Sequence, residues 1–139
     1  MAQRYVRVKN YQGQTHYGLL QLNRNVSVLD APPWLGGQIT DVELEADSYY
    51  LLAPCAPSKI VAVGKNYRSH ALEMGTPVPD EPLLFLKPPT TIIGDGQPIY
   101  YPTQSQRVDY EGELALIIGD TTRNCSEAKA AGKIWGYTI

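Results

Sequence analysis

Short apolar stretches separated by turn residues dominate the first third of the chain. They cover residues 5–8, 16–22 and 26–29, with turn-forming residues at 12–13 and 23–25. Turns at this spacing between β-branched and aromatic runs are typical of hairpins. The pattern therefore predicts an antiparallel meander of three short strands.

The segment that follows cannot form regular structure over its whole length. Residues 30–37 contain paired prolines and paired glycines, which interrupt both helices and strands. Residues 53–57 read Ala-Pro-Cys-Ala-Pro, a stiff connector. We place a domain boundary there, which gives a small N-terminal β domain over residues 1–56 and a second domain over residues 57–139.

The second domain alternates short strands with two short helices. Gly75 and Pro77 end the first helix, and Asn124 or Ser126 caps the second. The fold class is therefore α+β and β-dominated, without a βαβ rhythm. The predicted strands are residues 60–63, 83–86, 108–118 and the opening of one at 136–139, and the predicted helices are residues 69–74 and 126–133.

Composition and charge exclude several classes of protein. The 139 residues include 12 Lys and Arg against 14 Asp and Glu, for a net charge of −2. A nucleic-acid-binding face needs a basic surplus, so no nucleic-acid partner is expected. The start of the chain lacks the apolar core of a signal peptide, and no apolar run is long enough to span a bilayer. Cys55 and Cys125 form neither a metal knuckle nor a disulfide framework, so we expect a cytoplasmic protein with no membrane partner.

The segment with the clearest chemistry carries three acidic residues at alternate positions. On a strand, Asp109, Glu111 and Glu113 share one face, and side chains at i and i+2 stand about 6.6–6.8 Å apart at their bases. Two carboxylates at that spacing suit a hard divalent cation, which takes oxygen ligands. A solvated acidic patch on a half-exposed strand is the alternative, and the residues alone leave both open.

A second candidate is a histidine and a carboxylate on one predicted helix. His70 and Glu73 are three residues apart, so they lie on the same face within side-chain reach. A carboxylate that holds an imidazole fixes its tautomer and makes it a better base. The alternative is an ordinary pair of surface residues.

Lys87, at the end of a predicted strand, is either a contact for a substrate carboxylate or a solvated strand terminus.

The order of these motifs resembles the fumarylacetoacetate hydrolase family. Residues 59–75 resemble the opening of its catalytic domain, residues 81–89 its next signature and residues 109–115 its metal-binding strand. Residues 136–138 are similar to the segment that leads to the family's last metal-binding carboxylate. The N-terminal β region resembles that of bacterial members, so the resemblance covers essentially the whole chain.

This resemblance implies a fold and a set of roles. The fold would be the first part of a mixed β-roll, in a protein that is a homodimer or a larger oligomer. Glu111 and Glu113 would bind Mg²⁺ or Mn²⁺ with an aspartate further along, His70 and Glu73 would handle water or a proton, and Lys87 would contact substrate. Family members continue past Gly-Tyr-Thr, whereas this sequence ends at Ile139, so the third metal-binding carboxylate is expected outside it.

The expected function follows from the same resemblance. It is a metal-dependent hydrolase, isomerase or decarboxylase of small 2-oxo or 1,3-dicarbonyl acids, whose metal stabilises an enolate. His70, oriented by Glu73, would activate water for C–C bond hydrolysis or move a proton for isomerisation. The alternative is a non-catalytic protein: a truncated or partner-dependent fragment, or a small β binding module.

Overall fold

An antiparallel sheet of five strands forms the N-terminal part of the computed structural model, which describes residues 2–139. The strand order in this sheet is β4-β3-β2-β1-β5. Val8 and Val26 are fully buried, and Val28 and Leu29 are nearly so, which places the core of this part of the chain on strands β1 and β3. The strands are β1 (Tyr5–Asn10), β2 (Thr15–Leu20), β3 (Val26–Leu29), β4 (Ile39–Leu44) and β5 (Tyr49–Leu51).

The predicted meander is confirmed and is larger than expected. β1, β2 and β3 pair in sequence order as predicted, and β4 and β5 add one strand to each side. Pro33–Leu35 form a single 3₁₀ turn inside the segment predicted to be irregular. Gly18 on β2 lies opposite Val28, and a Cβ atom there would collide with the side chain of Val26. Glycine is therefore required where these two strands approach each other.

The chain divides into two compact units, and they differ from the two predicted domains. The first unit runs to Cys55 and resumes at Gly94–Ile139, and the second is Ala56–Ile93. The first unit contains β8 (Ala115–Ile118), α2 (Glu127–Ala131) and β9 (Ile134–Thr138) besides the five-stranded sheet. The boundary after residue 56 stays a prediction.

The second unit is built on a two-stranded antiparallel ribbon. β6 (Ile60–Gly64) pairs with β7 (Leu83–Lys87), and α1 (Arg68–Glu73) lies between them in the chain. The helix ends as its sequence predicts. Gly75 has a φ of +63°, its N–H donates to the carbonyl of Leu72, and the Thr76 N–H donates to the carbonyl of Ala71. These two bonds and the left-handed glycine are a Schellman motif.

A chain of aromatic side chains joins the N-terminal sheet to β9 within the first unit. The Trp135 ring packs edge-on against Tyr5 at 5.1 Å and against Trp34 at 5.7 Å between ring centroids. Trp34 in turn packs against Tyr17 at 5.1 Å. Such edge-to-face pairs add stability beyond the area that they bury. We call these four residues the aromatic chain.

The β-dominated α+β prediction is confirmed, but the acidic strand is shorter than predicted. β8 begins at Ala115, so Asp109, Glu111 and Glu113 lie in irregular backbone before it. β8 pairs with β9, and that ladder starts where Ala115 faces Thr138. Strand alternation in this structure therefore does not place the three acids on one face. The second helix is confirmed as α2, with Ser126 as its N-cap.

Gly119, directly after β8, offers a test of the packing around the aromatic chain. A Cβ atom at this position would stand 2.7 Å from Cβ of Trp135 and 3.1 Å from Cβ of Trp34. We expect Gly119→Ala to lower the free energy of unfolding by about 1–3 kcal/mol, because backbone-anchored atoms must shift. Urea unfolding followed by tryptophan fluorescence measures it.

Gly136 on β9 is the matched control, because a Cβ atom there meets nothing within 4 Å. We expect Gly136→Ala to leave the unfolding midpoint unchanged or to raise it slightly, since glycine weakens a strand interior. Equal loss of stability in both variants would contradict the proposed clash.

Candidate functional site

Helix α1 brings His70 and Glu73 together, as their spacing predicts. Nδ1 of His70 lies 4.0 Å from Oε2 of Glu73, and the two side chains are 40% and 79% exposed. The next residue after His70, Ala71, is fully buried and anchors the helix. This distance is longer than a hydrogen bond, and hydrogen bonds between catalytic groups are often long before a substrate binds.

The turn before α1 fixes where the helix starts. β6 ends at Gly64, and Lys65 follows with a φ of 53°, in the left-handed region. A non-glycine residue there costs free energy and is often found near functional sites. The chain then extends through Tyr67 and enters α1 at Arg68. His70 is therefore the third residue of α1 and comes six residues after the end of β6.

Lys87 is the last residue of β7 and stands opposite Ile60 on β6. Its Nζ atom lies 5.7 Å from the centroid of the Phe85 ring, within range of a cation–π contact. The side chain is exposed. An ammonium group held over an aromatic ring at a strand end is accessible to an anionic ligand, as the substrate-contact prediction requires.

The acidic segment contains Asp109, Glu111 and Glu113, and an arginine two residues before Asp109 binds its carboxylate. Nε of Arg107 donates a hydrogen bond of 2.8 Å to Oδ1 of Asp109. Glu111 is exposed and Glu113 is half-buried. The carboxylates of these glutamates are hard, oxygen-only donors of the kind that Mg²⁺ and Mn²⁺ prefer. Within residues 2–139, no three His, Cys, Asp or Glu side chains are grouped so that they could hold a metal ion. Glu111 and Glu113 thus fit a divalent cation chemically, as part of a larger ligand set.

The predicted site residues fall into two groups in the fold. His70, Glu73 and Lys87 belong to the unit Ala56–Ile93, whereas Glu111 and Glu113 belong to the unit that includes Gly94–Ile139. The structure thus brings together the histidine and its carboxylate. The roles of all five residues stay predictions.

Two ionisable groups outside the predicted site, Asp120 and Cys55, have shifted pKa values. The Lys133 ammonium donates to Asp120 and, with the backbone N–H of Thr121 and its own charge, lowers the pKa of that carboxyl. Burial raises the pKa of the Cys55 thiol, and the Arg7 charge opposes this in part. The thiolate of Cys55 is therefore disfavoured, which argues against a nucleophile. The ion pair between Lys133 and Asp120 joins the two ends of the segment that connects β8 to β9. The sequence indicated it only by placing opposite charges next to two predicted strands.

No helix in the described part of the chain, residues 2–139, combines the length and the apolar character needed to cross a bilayer.

Comparison with known families matches nearly all of the chain. Residues 59–139 match the family described as Fumarylacetoacetate (FAA) hydrolase C-terminal. Residues 3–54 match a domain described as Rv2993c-like, N-terminal. The first match includes all five predicted site residues.

Individual relatives agree with the family matches. An uncharacterized protein of Archaeoglobus fulgidus is 52% identical over 96 residues, which are 69% of this chain and 38% of the relative. The mitochondrial oxaloacetate tautomerase fahd2 of Xenopus laevis is 43% identical over 97 residues, 69% of this chain and 30% of that protein.

The solved structures extend the likeness to the fold. The crystal structure of 2-hydroxyhepta-2,4-diene-1,7-dioate isomerase from Mycobacterium marinum superposes with a TM-score of 0.82 at 30% identity. The superposition covers 98% of this chain and 52% of that chain. The chain thus spans about 30–40% of the length of these curated relatives and about half of the solved structure.

Proposed function

The chain belongs to the fumarylacetoacetate hydrolase family, and from this premise we propose that it carries metal-binding and proton-transfer residues of a divalent-metal-dependent enzyme for small 2-oxo or 1,3-dicarbonyl acids. The observation that carries the proposal is the pair on α1, where Nδ1 of His70 lies 4.0 Å from Oε2 of Glu73. This pair lies inside the region that matches the catalytic family. Two named relatives, a tautomerase and an isomerase, support proton transfer as its chemistry.

The role of the helix pair follows from the chemistry of imidazole. Once Glu73 accepts the N–H of Nδ1, His70 is held in the tautomer whose Nε2 carries a lone pair. That atom can remove a proton from a substrate carbon or from water and return it to the product. The half-exposed position of His70 leaves the ring within reach of a small ligand.

The remaining residues bind and orient the substrate. The ammonium of Lys87 would hold a carboxylate of the substrate, since it is exposed at a strand end. Glu111 and Glu113 would hold the cation with ligands from outside these 139 residues. A bound Mg²⁺ or Mn²⁺ would supply Lewis-acid polarisation of the oxo groups, which favours enolate formation. Keto–enol tautomerisation then needs only a proton moved between carbon and oxygen, and hydrolysis of a C–C bond adds a water.

The test uses a chimera that joins residues 1–139 to the remaining part of the Mycobacterium marinum isomerase, which we call the completed chimera. Oxaloacetate tautomerisation and acylpyruvate hydrolysis are followed by ultraviolet absorbance. We expect turnover of at least one substrate with Mg²⁺ or Mn²⁺, loss with EDTA, and recovery when the metal is restored. Unchanged turnover in EDTA, or no turnover of either substrate by a folded completed chimera, would contradict the proposal. The second result would favour a non-catalytic fragment.

A further inference from the structure

The side chain of Lys87 leaves the ribbon of β6 and β7 from a fixed backbone position. Lys87 pairs with Ile60 at the end of the ladder. Pro88 follows it, and a residue that precedes proline is restricted to extended backbone. Pairing and proline therefore set the direction in which the side chain starts. They leave free the flexible aliphatic stem, which carries a large conformational entropy.

The ring of Phe85 lies where it restricts that stem. Side chains at alternate strand positions point to the same side, so Phe85 and Lys87 share one side of the ribbon. Nζ of Lys87 lies 5.7 Å from the centroid of the ring, within the range of a cation–π contact. Ala62, which pairs with Phe85, is too small to cover the ring, and Phe85 is 45% exposed. Among residues 2–139 no acidic side chain forms an ion pair with Lys87, so the ring is the group that holds its ammonium.

We propose that Phe85 is a positioning residue, which holds the Lys87 ammonium ready for a carboxylate of the substrate. This role deepens the proposed function and rests on it, because that function identifies the ligand. The ring occupies one side of the ammonium, and the N–H donors on the remaining sides stay available to an anion. Phe85 itself need not touch the substrate.

The benefit of the ring is preorganisation. An ammonium that moves freely loses rotamer entropy when it binds a carboxylate, and this loss reduces the affinity. A ring that already restricts the stem removes part of that cost before the ligand arrives. The attraction comes from the negative potential over the face of the ring. A leucine, such as the three in β7, would be equally apolar but has no such face.

Because Phe85 acts on binding alone, its effect is expected on KM. Substrate and transition state carry the same carboxylate at this position, so the interaction stabilises both equally. Its loss therefore raises KM and leaves kcat unchanged. A residue needed only for the fold of the ribbon would instead lower the amount of active protein, and with it the apparent kcat.

The first measurement tests the geometry in the 139-residue chain by NMR. Phe85 is the only phenylalanine of the chain, so isotope labelling of phenylalanine gives the signals of this ring alone. We expect nuclear Overhauser effects between the ring protons and the ε-methylene protons of Lys87, and an upfield ring-current shift of those methylene protons. The shift disappears in Phe85→Leu. Absence of both signals in the parent chain would overturn the inference.

The second measurement is a double-mutant cycle in the completed chimera, with oxaloacetate as substrate. We expect Phe85→Leu to raise KM by about two- to fivefold at unchanged kcat, the loss typical of an exposed cation–π contact. Phe85→Tyr keeps the aromatic face and is expected to keep the parental KM. In the Lys87→Met background, Phe85→Leu is expected to leave KM unchanged, because the ammonium that Phe85 positions is absent.

A further variant covers the case in which Phe85→Leu does not fold. Pentafluorophenylalanine at position 85 keeps the shape of the ring but reverses the potential over its face. We expect it to raise KM at least as much as leucine does, and only when Lys87 is present.

The outcomes separate this role from the proposed function. An equal rise of KM in both Lys87 backgrounds, or an effect on kcat alone, would overturn the role of Phe85 while turnover upholds the proposed function. If a folded completed chimera does not turn over oxaloacetate, its Kd for oxaloacetate is measured by calorimetry in the same cycle. A Kd that depends on Phe85 only when Lys87 is present would then uphold the role of Phe85 and count against the proposed catalysis. No dependence on Phe85, or no binding, overturns that role.

Discussion

Mn²⁺ binding is expected to fall by at least about a hundredfold when Glu111 or Glu113 is replaced by glutamine in the completed chimera. Glutamine keeps the size and one oxygen but removes the negative charge that a hard divalent cation requires. The loss is expected for each single variant, because neither carboxylate can replace the other when both bind one ion. Isothermal titration with Mn²⁺ gives the affinity, and electron paramagnetic resonance counts the bound ions.

Asp109→Asn is the control for this prediction. Asp109 lies in the same segment, but its carboxylate accepts a hydrogen bond from Arg107. We expect the Mn²⁺ affinity of this variant to stay within about threefold of the parent, which separates a ligand role from general acidity of the segment. Equal loss in all three variants would reduce the segment to a diffuse acidic patch.

Turnover is expected to fall by about 10²–10⁴-fold in His70→Ala, with Mn²⁺ affinity unchanged. The imidazole is proposed to move the proton and not to bind metal, so its loss acts on kcat. Glu73→Gln removes the charge that orients the ring but keeps an oxygen that can accept a hydrogen bond from the N–H of Nδ1, so a smaller loss is expected. Steady-state kinetics across pH, together with Mn²⁺ titration, separates the two effects.

Ser69→Ala provides the comparison on the same helix. Ser69 is exposed and directly precedes His70. Its replacement leaves helix propensity intact or improved. We expect parental turnover from this variant. If His70→Ala also kept the parental turnover, His70 and Glu73 would be ordinary surface residues without a catalytic role. The main support for the proposed function would then be lost.

Local signals in the sequence were sufficient for the helix that carries His70. The glycine that ends α1 and the three-residue spacing of His70 and Glu73 depend on neighbouring residues only, so both could be predicted. The same holds for Ser126, whose hydroxyl accepts a hydrogen bond from the Lys129 N–H. These features need no knowledge of distant parts of the chain.

Strands were predicted less well, because a strand depends on a partner far away in sequence. Ile39–Leu44 was missed, since its apolar positions do not alternate strictly and its pairing with β3 contains a register shift. Residues 108–114 alternate well, yet β8 starts only where β9 provides a partner at Thr138. Alternation thus indicates which residues can form a strand, and pairing decides where the strand begins.

The aromatic chain has a consequence for how this protein can be recombined. The two family matches meet between residues 54 and 59, which looks like a natural point at which to exchange the N-terminal part between relatives. An exchange at that point would carry Tyr5, Tyr17 and Trp34 away from Trp135, which packs against two of them. A transplanted N-terminal domain therefore has to bring matching aromatic residues, or the recipient has to change at Trp135 and Gly119 as well. The residues that pack together in this protein therefore come from both family matches, and exchanging one match alone would separate them.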